Sequence, residues 1–423
     1  MSRSDLTPLT RYQWKLLGFL SVATFFEGFD FMALSQILPN MREEMDLDIA
    51  EAGVLLSVIN IGTLVAYLLI RKADAWGRRR VLMLTITGYT VFTGLTALSQ
   101  GPVMFTIAQF LARLFLIAEW ATAMVYVAEE YPADRRGMVL GVVQGVASLG
   151  SVVCAGLVPL LLKFQISVGA LTLSSWRNVY VVGILPLILL AIARRGLEET
   201  KRFERAQAER AEQARAEPAS MFAVMRGPYR KRVLQLGLLW SLTYFGMANA
   251  VTFWKDFAVN ERGFTDADVG LALTVAAIVS MPLVFYSGRL LDRIGRRMGA
   301  VVIFGVGIAG VFFAFTLENP VLLRIAVVFG IFGVSGVLPV LNSVTTELFP
   351  TSVRSDAFSW SNNLLGRIGY ILGPAAAGWL GAMHGLGNAV ASMTSMPLLA
   401  LILLLVWVPE TSNKELEETS VLN

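Results

Sequence analysis

Cysteine and histidine occur once each in the 423 residues. Cys154 alone can form neither an internal disulfide nor a cysteine-rich metal site. His384 alone removes multi-histidine zinc chemistry and argues against a Ser-His-Asp triad. No nucleophile constellation or phosphate-cradling loop stands in for them, so neither an enzyme nor a bound metal or cofactor is expected. Charge is scarce as well. Asp, Glu, Lys and Arg make up 16% of the chain, against about 25% in soluble domains. The rest leans apolar: 55% of residues are hydrophobic and the mean hydropathy is +0.63. A soluble chain of this length would make two or three domains; the apolar excess points to lipid as the solvent instead. A cleavable signal peptide is not expected, because residues 1–10 are polar and the first apolar run is too long for an h-region and has no A-x-A site.

A helix needs about 20 apolar residues to cross a bilayer. Such runs lie at 15–38, 52–71, 80–99, 103–128, 137–162, 177–195, 232–257, 268–290, 299–317, 321–346, 357–381 and 387–408. Each must be helical, since lipid supplies no partner for an unpaired peptide group. The pattern predicts an all-α membrane protein of about twelve spans. Arg71, Lys72, Arg78, Arg79, Arg80, Arg135, Arg136, Arg289, Arg293, Arg296, Arg297 and Arg354 fall in one set of connections; Arg42, Lys163, Lys255, Arg262 and Arg324 fall in the other. Lys and Arg gather on the cytoplasmic side, so both termini and the long middle loop are expected there. Residues 198–217 of that loop mix Glu, Arg, Lys, Gln and Ala, the composition of a solvated surface helix. The expected division is an N-terminal half at 1–195, a cytoplasmic linker at 196–231 and a C-terminal half at 232–423. The short basic loops are too tied to span ends to serve as nucleic-acid sites.

The two halves repeat. Asp74-Ala75-Trp76-Gly77-Arg78-Arg79 follows the second run, and Asp292-Arg293-Ile294-Gly295-Arg296-Arg297 follows the eighth. Glu129-Glu130-Tyr131-Pro132 with Arg136 follows the fourth, and Glu347-Leu348-Phe349-Pro350 with Arg354 follows the tenth. Every corresponding pair is 218 residues apart, from 74 to 292, 129 to 347, 132 to 350 and 136 to 354. Two motifs sharing one offset mark an internal repeat of about six spans. Asp74 and Asp292 can pair with nearby arginines, and Glu129 and Glu347 lie within reach of the basic loops. Pairs of this kind can hold in one conformation and break in another, which is a gate; the alternative is plain positive-inside topology, which needs no Asp, Gly or Pro at a fixed spacing. The expected gating set is Asp74, Gly77, Arg78, Glu129, Arg136, Asp292, Gly295, Arg296, Glu347 and Arg354.

Gly288-Arg289-Leu290-Leu291-Asp292-Arg293-Ile294-Gly295-Arg296-Arg297 is similar to the cytoplasmic loop signature G-x-x-x-D-R-x-G-R-R of major facilitator superfamily transporters; the first copy carries Ile70 in place of the leading glycine. Trp176-Arg177 and Pro409-Glu410-Thr411 resemble the sugar-porter-like and organic-acid-symporter branches. The resemblance implies two six-helix halves in parallel repeat, with the substrate site between them near the midplane.

Ionisable groups at mid-bilayer depth are costly and line a water path or face a partner. Glu27 and Asp30 fall in the first span, three residues apart and so on one helix face. Arg113 and Glu119 fall in the fourth, and Trp120 shares the face of Arg113. Carboxylates crowded in low dielectric repel and lose hydration, which is what a proton carrier needs; Asp30, Glu27 and Glu119 are the proton-coupling candidates. A guanidinium suits a carboxylate substrate, although Arg113 could instead neutralise Asp30 or Glu27. Glu27-Gly28-Phe29-Asp30 resembles the D-G-[FY]-D motif of aromatic-acid:proton symporters, and Glu119 sits where metabolite:proton symporters and nicotinate-type carriers have a glutamate. Both resemblances imply proton-coupled uptake of a small organic acid.

The second half supplies aromatic and amide groups: Trp240, Tyr244 and Asn249 in the seventh run, Asn342 in the tenth, and Trp360, Asn362, Asn363 and Arg367 in the eleventh. With Arg113 and Trp120 these are the substrate-contact candidates, because an aromatic acid wants ring faces and a cation. A single Trp or Tyr in a span otherwise reads as packing or an interfacial belt. Gly369-Tyr370-Ile371-Leu372-Gly373-Pro374 permits close packing and a kink. Trp254, Lys255 and Asp256 mark the outer end of the seventh span.

The expected function is a secondary active transporter that imports a small organic anion with protons by alternating access, as a single chain in a bacterial inner membrane. Its partners are then the anion, protons and lipid. The alternatives are a sugar or polyol porter, which would bind through Gln and Asn rather than Arg113; an efflux carrier, against which stands the missing proline after Gly141-Val142-Val143-Gln144-Gly145; and a non-transporting sensor, which would bring a large soluble output domain.

Overall fold

The computed structural model describes residues 8–168, 171–173, 175–193, 223–350 and 353–412. Most of the expected linker, residues 196–222, lies outside them, as do the side chains of Asp74 and Arg136. Helices dominate: α1 Arg11–Glu44, α2 Ile49–Trp76, α3 Arg78–Ala97, α4 Pro102–Glu130, α5 Ala133–Leu161 and α6 Asn178–Ala193, then α7 Arg230–Thr252, α8 Trp254–Asn260, α9 Asp266–Ile294, α10 Arg296–Thr316 and α11 Pro320–Glu347. The chain continues through α12 Arg354–Phe358, a π-helical stretch Ser359–Gly366, α13 Arg367–His384, α14 Leu386–Met393 and α15 Ser395–Trp407. Between α5 and α6 a hairpin pairs β1 Ile166–Val168 with β2 Leu171–Leu173, antiparallel.

The boundaries follow local chemistry. Pro102 and Pro320 open their helices at a position where a missing N–H costs nothing. The Asn319 side chain caps α11 by accepting from Val321 and Leu322 N–H, and Thr265 with Asp268 forms a capping box at α9. Gly77 and Gly295 turn the chain between consecutive helices with φ of 95° and 89°, a conformation that glycine alone adopts without strain.

Among the described residues nine helical segments, α14 with α15 counted as one, are long and apolar enough to cross a membrane, and ten if α7 and α8, bent by 45° at Phe253, count as one. Two of the twelve expected spans fall short of that measure for visible reasons. Arginines and a run of threonines dilute α3, and the π-helical stretch splits the eleventh span before α13.

The contacts divide the chain into two compact units. One holds residues 1–33 and 59–218, the other 34–58 and 219–423. In the first unit α1 and α5 touch backbone to backbone. A Cβ on Gly28 would lie 1.8 Å from the Ala147 carbonyl oxygen, and one on Gly150 would lie 1.9 Å from that of Phe25. Ser151 Oγ donates to the Gly28 carbonyl at 2.8 Å. This contact fixes the turn of α1 that carries Glu27 and Asp30. In the second unit Gly369 of α13 meets α7, where a Cβ would lie 1.8 Å from the Ser241 carbonyl oxygen. The last turns of α1 and the first of α2 belong to this unit: Ser57 Oγ accepts from Ala375 N–H at 2.9 Å, and Gly53 lies against Pro374 and Gly378.

Candidate functional site

The first unit buries a charged cluster. Asp30, Arg113 and Glu119 are 4%, 4% and 3% exposed. Glu27 is within electrostatic reach of Glu119, Arg113 and Asp30, and Asp30 of Arg113. Thr85 Oγ1 of α3 donates to Glu119 Oε2 at 2.5 Å. The Tyr89 hydroxyl lies against Asp30 and 3.4 Å from the Phe26 carbonyl oxygen. Glu27 Oε2 is buried with no hydrogen-bond partner among the described residues. Glu27 and Asp30 thus face one guanidinium in a buried setting, with the third acid, Glu119, within reach of Glu27. Ionisable groups in a span are costly unless partners or water meet them. Trp120, the next residue after Glu119, is half-buried.

The second unit builds a separate cluster on α7 and α13. The Tyr244 hydroxyl donates to Asn362 Oδ1 at 3.0 Å. The Arg367 guanidinium lies 5.4 Å from the centre of the Tyr244 ring and 5.4 Å from that of Tyr370. Those two rings meet edge to face at 5.8 Å. Trp240 packs on Tyr244 at 5.3 Å, and its indole N–H donates to Thr345 Oγ1 at 3.0 Å. The π-helical stretch that carries Asn362 breaks regular helix pairing, as such stretches often do at functional sites. Trp360 and Asn363 lie half-buried in it. Asn249 is turned away: its Nδ2 donates to the Phe245 carbonyl at 2.8 Å and touches Met393 Sδ at 3.8 Å. Asn342 is exposed on α11, and no contact joins it or Asn249 to Arg367 among the described residues.

The repeat reappears as paired contacts. Arg78 holds Glu129 through Nε and Nη2 at 2.8 to 3.2 Å. Arg296 holds Glu347 through the same two atoms at 3.0 to 3.4 Å, and Asp292 through Nη1 at 2.7 Å. Each Arg–Glu pair spans 51 residues. Arg354 donates Nε to the Phe349 carbonyl at 3.2 Å.

The second half adds an anion. Glu410 accepts from Arg296 N–H at 2.8 Å and Arg297 N–H at 3.0 Å, capping the start of α10 beside Gly295. Thr411 Oγ1 donates to Glu347 Oε2 at 2.5 Å. Burial pushes the Glu410 carboxyl up, but the backbone N–H groups of Arg297, Ser412, Arg296 and Thr411 outweigh it and hold the group below the ordinary carboxylate range. A depressed carboxyl adds stability above its unfolded pKa and loses it as pH falls through the folded value. Glu410→Gln is therefore expected to destabilise the protein by about 0.3–1 kcal/mol at neutral pH. The gap to wild type should close toward about pH 3, as read by thermal unfolding in detergent.

At the other end of α9, about 40 Å away by helix rise, lies a second set of ion pairs. Arg42 Nη1 reaches both oxygens of Asp256 at 2.7 and 2.6 Å, with side chains 17% and 4% exposed. Buried Lys255 pairs with Asp266 at 2.6 Å and donates to Asn40 Oδ1 at 3.3 Å. Trp254, Lys255 and Asp256 therefore do more than end the seventh span. They open a separate helix that clasps the far turns of α1.

Thr85 and Tyr89, four apart on α3, stand in the sequence only as polar groups at helical spacing, and Tyr370, three after Arg367, only within a packing motif. Arg42 with Asp256 carried no motif at all.

The chain matches the family model described as Major Facilitator Superfamily over residues 20–367 and 236–421. It is 25% identical over 405 residues to the cis,cis-muconate transport protein of Acinetobacter baylyi, covering 92% of this chain and 93% of that one. It is 23% identical over 418 residues to the 4-hydroxybenzoate transporter PcaK of the same organism, covering 90% and 86%. A bacterial homologue of the human lysosomal transporter Spinster, solved inward-facing, superposes with a TM-score of 0.78 at 15% identity over 94% of this chain and 97% of that one. By the extent of the family match, the signature around Asp292 and its helical architecture, this chain belongs to the Major Facilitator Superfamily and is an integral membrane transporter.

Proposed function

We propose that the chain imports a small organic acid, aromatic or otherwise carboxylic, together with protons, by alternating access. The observation that carries this is Arg367. It is a cation within a span, lying over two tyrosine rings that touch each other, and no carboxylate reaches it among the described residues. Ring faces offset part of the cost of a guanidinium out of water; a carboxylate bound through both oxygens offsets far more. Arg113, by contrast, already faces Glu27 and Asp30. That cluster is the coupling centre in this reading, since its surplus of acids calls for protons. Relatives named for cis,cis-muconate and 4-hydroxybenzoate agree with an acidic cargo. The basic-residue pattern supports cytoplasmic termini in a bacterial inner membrane, and the chain acts alone.

The test is uptake by proteoliposomes of labelled 4-hydroxybenzoate and cis,cis-muconate, with D-xylose as the neutral control. An inward proton gradient should drive the acids and not the sugar. Arg367→Gln should weaken apparent affinity for the acid by about 10- to 100-fold, the worth of a hydrogen bond to a charged group. Acid uptake indifferent to the gradient, or sugar uptake in its place, overturns the reading.

A further inference from the structure

We infer that Gln36 of α1 is a specificity-determining residue that reads a hydroxyl group on the cargo. Gln36 is 0% exposed, yet neither its Nε2 nor its Oε1 has a hydrogen-bond partner. Other buried amides orphan one atom only. Gln109 donates to Thr96 Oγ1, Asn178 to the Leu161 and Phe164 carbonyls, and Asn249 to the Phe245 carbonyl, each leaving just its oxygen unmatched. Among the described residues Gln36 is the one buried amide with both ends unmet.

Burying an amide with no partner is unfavourable, and the residues that flank it along α1, Met32, Ala33, Ile37 and Leu38, are apolar and buried. A polar group kept under such conditions calls for a partner that comes and goes. The face it occupies is known. Asn40, one turn further along, accepts from Lys255 Nζ, so Gln36 lies about 6 Å deeper on the side of α1 turned to α8.

The chemistry of the partner follows from the two unmet atoms. Oε1 needs a donor and Nε2 needs an acceptor. One hydroxyl satisfies both, giving its proton to Oε1 and a lone pair to Nε2. An ether or lactone carbonyl could satisfy only Nε2. Resting on the proposed acidic cargo, the preferred substrate is thus a hydroxylated acid over its deoxy counterpart.

The experiment compares initial uptake of 4-hydroxybenzoate and benzoate into proteoliposomes at low, equal concentration, for wild type, Gln36→Leu and Gln36→Met. Wild type should favour the hydroxylated acid by about 10-fold or more. Both variants should lose that preference while benzoate uptake stays within about twofold of wild type. Melting temperature in detergent confirms that each variant is folded, and the methionine variant preserves the unbranched shape should leucine pack badly. A higher melting temperature with the preference intact would mean an orphaned structural amide and overturns the assignment. Uptake of neither acid by wild type overturns the acid-importer reading itself, and this inference with it.

Discussion

Glu27→Gln is expected to exchange substrate across the membrane but no longer to accumulate it. An inward gradient of about two pH units, with one proton per monoanion, sustains about 100-fold accumulation, since each unit is worth about 1.4 kcal/mol. Wild type should approach that ratio and Glu27→Gln should level off near one. The three acids of the cluster are not equally provided for. Glu119 receives the Thr85 hydroxyl, and Asp30 faces both Arg113 and Tyr89. Glu27 Oε2 has no donor among the described residues, so in this reading Glu27 is the acid for which a bound proton relieves most. Glutamine copies the shape of the protonated acid, and the variant should behave as a carrier fixed in its loaded form. Asp30→Asn removes a charge that faces Arg113 and should impair exchange as well, because a buried guanidinium then loses one of its acids. Full gradient-driven accumulation by Glu27→Gln would place the coupling acid elsewhere.

What the sequence disclosed and what it hid divide along a physical line. Helices were legible because lipid forces every span to satisfy its own backbone, and the apolar runs locate them to within a few residues at most ends. The exceptions are instructive. α1 runs on through Arg42 and Glu44, past the apolar stretch, because its last turn is stabilised by an ion pair rather than by lipid. The hairpin at β1 and β2 has no signal strong enough to stand out in a short loop. Arg78 with Glu129 and Arg296 with Glu347 could be anticipated, since a common offset of 218 residues places both partners at matching helix ends. In the sequence Glu410 stands only as part of a motif. Its role as a cap on α10 depends on where the chain ends up after α15, more than 110 residues from the N–H groups it receives. Arg367 was visible as a charge in a span, but not its two tyrosine faces, one of which comes from α7. Arg42 and Asp256 lie 214 residues apart in unrelated sequence, so nothing short of the folded chain connects them.

That last pair carries the other large expected effect. Arg42 grips both oxygens of Asp256 in a nearly buried setting, Asn260 Nδ2 adds a bond to Asp256 Oδ1 at 3.0 Å, and Lys255 ties Asn40 to the start of α9 through Asp266. Residues 34–58 are held within the second unit by these bonds and by the Ser57 contact with Ala375. Removing one partner of a buried pair costs about 3–5 kcal/mol, because the other charge is left stranded. Asp256→Asn should therefore raise the population in which this end is open by on the order of 100- to 5,000-fold. A cysteine reads this directly. In a Cys154→Ser background, Ser57→Cys replaces a residue 8% exposed, and its labelling by a membrane-impermeant maleimide, added to either face, should be slow. Asp256→Asn or Arg42→Gln should speed it strongly, and the exchanged pair Arg42→Asp with Asp256→Arg should slow it again. Only a direct ion pair predicts that rescue, because each substitution alone leaves like charges or none facing one another. Equal labelling in the single and exchanged variants would reduce the contact to ordinary packing. A rescue would make the Arg42–Asp256 pair the bond that must break before this end of the transporter can open.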